Sequence, residues 1–338
     1  MPTFCRHGRF LERCPICSKT LPGNAPEGRG SGTAGRKRQS SPAGRGATGT
    51  ARRGGSRGGG LRVSRQQRAV EDGYSSSLLP GVRASADAER LAGEVAFANG
   101  RLLALSADAP DARLPELYRE VRELAASDLE QATWICFLTA YLCPLEDEQP
   151  FVGIRQALLS DRGELDDLSD LPLGPRSSHD PARGAATIEA YRAWYQQVGS
   201  QQLAFTGDQS WSAQRRFERL FERLALPGLS RAARYELLVL LGSLGVYELQ
   251  AGTLQLGGAR IGATEDPTVT AAKRVFAIGD PLLLERRAAT LAEALAVPVA
   301  ALDLALANWS AEQRATLGFD EDVADEETLD LAREQLGL

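Results

Sequence analysis

From about residue 84 onward, apolar residues recur at three- and four-residue spacing with charged residues between them, the pattern of helices that bury one face. The first such stretch is 86–97. In 113–127 the apolar positions are Leu114, Leu117, Val121 and Leu124. Residues 129–143 are more uniformly apolar (Leu129, Trp134, Phe137, Leu138, Tyr141) and stop at Cys143-Pro144, which predicts a buried central helix ended by proline. The segment 145–184 is rich in acids, proline and glycine and reads as irregular, apart from a short helix over Val152–Leu159. Helical spacing resumes at 186–198. Ser212 is placed to cap a helix over 213–225, and further helices are expected at 230–243, 268–278, 281–296 and 298–308. Between the first two of these, 246–262 is short, punctuated by glycine and partly alternating, which predicts a small β-hairpin. The expected fold class is mainly α, with one helical body over 84–338.

Composition divides the chain more sharply. The net charge of −5 combines +13 over residues 1–68 with −18 over the remainder. A basic arm on an acidic body points to a polyanionic partner. No apolar run approaches the roughly 18 residues of a membrane span, and residues 1–30 lack the apolar stretch of a signal peptide, so the cytoplasm is the expected compartment.

Within the arm, Cys5, His7, Cys14 and Cys17 follow the spacing C-x-H-x6-C-x2-C. The Cys14–Cys17 pair can present two thiolates from one turn, and Cys5 and His7 can complete a tetrahedral set, so residues 1–20 are expected to form a zinc knuckle. A unit this small would draw its folding energy from the metal. A redox C-x-x-C or a reduced, unstructured N-terminus are the alternatives, but the βαβ context of a redox pair does not follow. Residues 21–68 are Gly, Ser, Ala and Arg with almost no large apolar side chains, which predicts a disordered basic linker. Either it contacts phosphates without regard to sequence, or it is a solubilising spacer.

The chemistry is concentrated further along. Leu226-Pro227-Gly228-Leu229-Ser230-Arg231 lies between two predicted helices, and Asp266-Pro267-Thr268-Val269 opens a third. Gly228 permits a close backbone approach, and the amides that open the following helix can meet a phosphate oxygen. Read blandly, the first motif is a helix connector and Asp266 an N-cap. The order of the two motifs resembles the helix-hairpin-helix DNA glycosylases, whose hairpin reads L-P-G-V-G and whose catalytic carboxylate opens a D-T-x-V segment. That resemblance implies DNA as partner, a hairpin at 226–231 that anchors it through Gly228, Ser230 and Arg231, and a catalytic-Asp segment over 265–279 carrying Asp266. Lys273 and Arg274 would add phosphate contacts. Ala232 stands where bifunctional members carry a lysine, which implies monofunctional cleavage of the N-glycosidic bond.

A second resemblance covers nearly the whole chain. The N-terminal F-C-R-H-x-R-F-x-x-x-C-P-I-C, the Trp134–Pro144 stretch and the Asp266 segment are similar to the alpha-glutamyl/putrescinyl thymine pyrophosphorylase clade 3 family, itself assigned to the DNA glycosylase superfamily. It is named for phage relatives proposed to attach glutamate or putrescine to an activated hydroxymethyl group on thymine in DNA. The sequence reading favours a glycosylase-like hydrolase acting on a flipped, modified pyrimidine, with Asp266 stabilising an oxocarbenium-like sugar. The alternatives are a base-modifying transferase of the pyrophosphorylase type and a non-catalytic DNA-binding protein. Trp134, Tyr141, Phe205 and Trp211 are candidates to wall a base pocket, with core packing the competing role for Trp134.

Overall fold

The computed structural model describes residues 69–106, 109–160, 170–258 and 266–338. The cysteine–histidine cluster at 5–17 and the basic stretch at 21–68 lie outside these residues, as does 259–265, which directly precedes Asp266. The described chain forms twelve α-helices: α1 (Ser85–Leu105), α2 (Glu116–Ala125), α3 (Leu129–Leu142), α4 (Val152–Ser160), α5 (Gly184–Gln196), α6 (Gln201–Thr206), α7 (Ala213–Arg223), α8 (Arg231–Ser243), α9 (Pro267–Phe276), α10 (Pro281–Ala294), α11 (Val299–Ser310) and α12 (Glu326–Leu336). No single helix among them is long and apolar enough to cross a membrane.

Capping chemistry fixes most of the boundaries. Asp128, Ser200, Ser212, Ser230, Asp266, Asp280 and Asp325 each accept a hydrogen bond from a backbone N–H in the first turn of the helix they precede. Each such cap contributes about 1 kcal/mol. Proline follows the cap at the first position of α9 and α10, where its missing N–H costs nothing.

The helices pack in two groups. In one, α1 lies against α11 and α12, and α11 lies against α9 and α10. In the other, α3 is the centre, flanked by α2, α4, α6 and α8. As its apolar sequence predicts, α3 is buried from Ala132 to Leu142. One continuous hydrophobic core runs through both groups.

The structure departs from the sequence expectations at three places. First, α1 runs on past 97 to Leu105, through Asn99 and Gly100. The glycine is needed there because a Cβ would lie 1.9 Å from the carbonyl oxygen of Val323. Second, α6 and α12 are helices that periodicity did not predict; α6 has only six residues, too few to show a period. Third, the part of the predicted β-hairpin that is described contains no strand. Val246 and Tyr247 both donate back to Leu241 O and close off α8 instead. Leu254 and Leu256, whose alternation suggested a strand, donate their amides to the two carboxylate oxygens of Glu285 (2.8 and 2.6 Å). A ladder partner is therefore replaced by a side chain from α10.

Candidate functional site

The sequence Leu224–Ser230 turns between α7 and α8, as the hairpin reading expects. Gly228 has φ +78°, a left-handed conformation that glycine adopts at little cost. The position its Cβ would take lies 1.9 Å from Thr187 Oγ1, on α5, so the close approach seen here is to the protein itself. The turn is also tied to the segment before α5. Ser178 Oγ donates to Gly228 O (2.8 Å) and accepts from Ser230 N–H (2.8 Å). Ser230 in turn caps α8 through Ala233 N–H (3.1 Å).

The turn forms one wall of a cleft of about 620 Å³, lined also by Arg176, Ser178, Arg231, Ala232 and Asp266. Two of the sequence-predicted residues, Asp266 and Arg231, meet in its floor, although 35 positions separate them. Arg231 Nε donates to Asp266 Oδ2 at 2.9 Å. The other carboxylate oxygen of Asp266 accepts from Val269 N–H at 3.2 Å, the capping bond of α9.

Arg231 was expected to reach a phosphate, and the structure corrects that expectation. Its side chain is buried and each of its three nitrogens is engaged: besides Asp266 it donates to Leu254 O (2.9 Å) and to Asp303 Oδ1 (2.6 Å). Asp303, on α11, is 2% exposed and accepts on its second oxygen from Arg176 Nη2 at 2.7 Å. Asp266, Arg231, Asp303 and Arg176 thus alternate in sign along one chain, and their formal charges cancel. Burial alone would lower the pKa of Arg231, but the carboxylates of Asp303 and Asp266 outweigh it and hold the guanidinium above its ordinary value. The same balance acts in reverse on Asp303. Burial pushes its carboxyl up, Arg231 and Arg176 pull it down, and the net direction is down.

Asp303 was missed from sequence, yet a signal existed: it is the one charged residue in the apolar helix α11. An acid on an otherwise buried helix must find partners, because an unpaired buried charge is prohibitively costly.

The remaining candidates fall elsewhere. Trp134, Tyr141 and Phe205, expected as walls of a base pocket, are buried in the core instead. Trp134 and Phe137 stack at 5.3 Å, Phe137 and Tyr191 at 3.7 Å, and Phe205 stacks on Tyr247 at 5.4 Å. Tyr141 Oη shares a hydrogen bond with His179 Nδ1 (3.0 Å), and burial raises the phenol's pKa. Trp134, Phe137 and Tyr141 follow the helical apolar spacing of α3, and that spacing placed them inside. Trp211 is half-buried, with Arg223 over its ring. It does not line the cleft. Lys273 and Arg274 occupy the last turn of α9, about 10 Å along its axis from Asp266. Arg274 lies over the Trp309 ring at 5.0 Å. The free thiols Cys136 and Cys143 are buried, and burial pushes both up, Cys143 to about 12, which disfavours the thiolate at neutral pH.

No curated protein and no solved structure matches the chain. Residues 176–319 match the family described as alpha-glutamyl/putrescinyl thymine pyrophosphorylase, clade 3. The chain is similar to that family over a segment that begins at Arg176 and contains Arg231, Asp266 and Asp303, the whole of the buried charge chain.

Proposed function

We propose that this protein is a DNA base-modifying enzyme of the pyrophosphorylase type, which joins an amine to an activated hydroxymethyl-pyrimidine in DNA. The observation that carries the reading is the pairing of Asp266 with Arg231, inside the segment that matches the family. Glycosidic cleavage asks a carboxylate to stabilise positive charge developing on the sugar. Here the same carboxylate already faces a guanidinium at 2.9 Å and a helix amide at 3.2 Å, which compensate its charge. That favours the transferase over the glycosylase chemistry which the sequence alone suggested.

The transfer itself makes modest demands. The amine lone pair forms the new C–N bond to the exocyclic carbon. The C–O bond to pyrophosphate breaks, its electrons leave on the oxygen, and the new nitrogen sheds a proton. In the cleft, Asp266 retains lone pairs that can accept from the attacking amine and align it. Arg176 and the first residues of α8 line the same cleft, and they would face the negative charge that builds on the leaving group. The target base must leave the stack to reach such a cleft. The basic arm supplies affinity for phosphates that the acidic body lacks.

The test is to supply DNA carrying pyrophosphate-activated 5-hydroxymethyluracil together with glutamate or putrescine, and to weigh the nucleosides afterwards. A heavier nucleoside and released pyrophosphate support the proposal. Free base and abasic sites would return the assignment to glycosidic cleavage.

A further inference from the structure

A buried acid held between two arginines is a poor stabilising device. Removing charges from water costs about as much as their attraction returns, and well-packed apolar residues often serve as well or better. The arrangement around Asp303 suits orientation instead. Its two carboxylate oxygens take two different arginines, Arg231 and Arg176, which approach from α8 and from the segment before α5. Its backbone carbonyl accepts from Thr268 Oγ1 at 3.2 Å, two residues beyond Asp266. Further along α11, Ser310 Oγ donates to Pro267 O at 3.1 Å. One helix thus fixes both the backbone that carries Asp266 and the guanidinium that grips its side chain. Arg231 is further anchored by Leu254 O, so the guanidinium plane is defined on three edges.

We propose that Asp303 is the positioning residue of this cleft: acting through Arg231, it sets the orientation of the Asp266 carboxylate toward the reacting atoms. The role in turnover rests on the transferase reading above; the geometric role does not.

Asp303→Glu separates position from charge, since it keeps the carboxylate and displaces it by one methylene. In protein labelled with ¹⁵N, the Arg231 Nε–H resonance, identified by its loss in Arg231→Lys, should move in Asp303→Glu and in Asp303→Asn. Turnover to the heavier nucleoside should fall about tenfold to a hundredfold, the usual consequence of misplacing a reacting group by about 1 Å, with KM for DNA unchanged. Combined with Asp266→Asn, the same change should cost nothing further, because the two act as a unit. An unmoved resonance, or unchanged turnover in the folded variant, overturns the proposal. Should neither variant fold, the unaltered protein decides: a guanidinium fixed on three edges gives separate Nη signals, and averaged signals refute the assignment. Should the unaltered protein form no adduct at all, the reaction reading falls, and the resonance arm alone judges the positioning role.

Discussion

Gly228 offers the sharpest test of how the hairpin is held. Replacing it with alanine has two separable costs. At φ +78° an L-residue is strained by about 1–2 kcal/mol. The new Cβ would also sit 1.9 Å from Thr187 Oγ1 and 3.1 Å from Thr187 Cβ, so the threonine must move. It has little room, being buried with its hydroxyl turned to Arg183 O at 3.3 Å. Overpacking of this kind costs about 1–3 kcal/mol, so Gly228→Ala should lose about 2–5 kcal/mol in total. Thr187→Ala removes the clashing oxygen at a cost of about 1 kcal/mol. The double variant should therefore recover about 1–3 kcal/mol relative to the sum of the single changes. Urea melts of the four proteins of the cycle measure this directly. Strict additivity, within about 0.5 kcal/mol, would show that Thr187 does not impose glycine at 228. The same proteins bear on DNA. Because the Cβ would point at Thr187, the double variant should bind duplex DNA as Thr187→Ala does; weaker binding would mean that the backbone at 228 approaches the nucleic acid.

Asp266→Asn keeps one acceptor oxygen, enough to cap α9 through Val269 N–H, but its amide nitrogen cannot accept from Arg231. Asp303 and Leu254 still hold the guanidinium, so the fold should survive while adduct formation drops roughly a hundredfold; a wild-type rate would remove Asp266 from the chemistry. Purified protein should contain about one zinc per chain, lost on replacing Cys14 and Cys17, and metal analysis without zinc refutes the knuckle. Deleting residues 18–65 should weaken DNA binding and flatten its dependence on salt, whereas an unchanged slope would make that stretch a spacer. Burial, opposed by the Thr133 hydrogen bond, raises Tyr247 to about 12 from the ordinary 10.0. A raised folded-state value means its contribution is intact below about pH 10 and lost as pH rises through about 12. That amounts to about 3 kcal/mol, and alkaline melts in which Tyr247→Phe declines as steeply as the parent would contradict it.

The helices were legible because local rules govern them. Ser212 and Asp266 cap the helices they were expected to cap, and Pro144 follows the end of α3 at the predicted place. The turn before α8 and the start of α9 at Asp266 could be read for the same reason, as short motifs of fixed order. What escaped depends on residues far apart in the chain. Asp303 meets Arg176 across 127 positions and Arg231 across 72, and no periodicity encodes such partners. The amides of Leu254 and Leu256 were assigned to a strand because alternation is all a sequence shows; the carboxylate that claims them, Glu285, lies about 30 positions on. Arg231 looked like a surface cation because it opens a helix beside a glycine turn. Its burial follows only once α11 is packed behind it.

The measurement that bears most directly on function is the mass of the nucleosides recovered from pyrophosphate-activated hydroxymethyluracil DNA after incubation with the protein and a primary amine. A nucleoside heavier by the amine, one pyrophosphate released for each adduct, and an intact glycosidic bond are the predicted result. Free base with matching abasic sites, formed whether or not an amine is present, would contradict it.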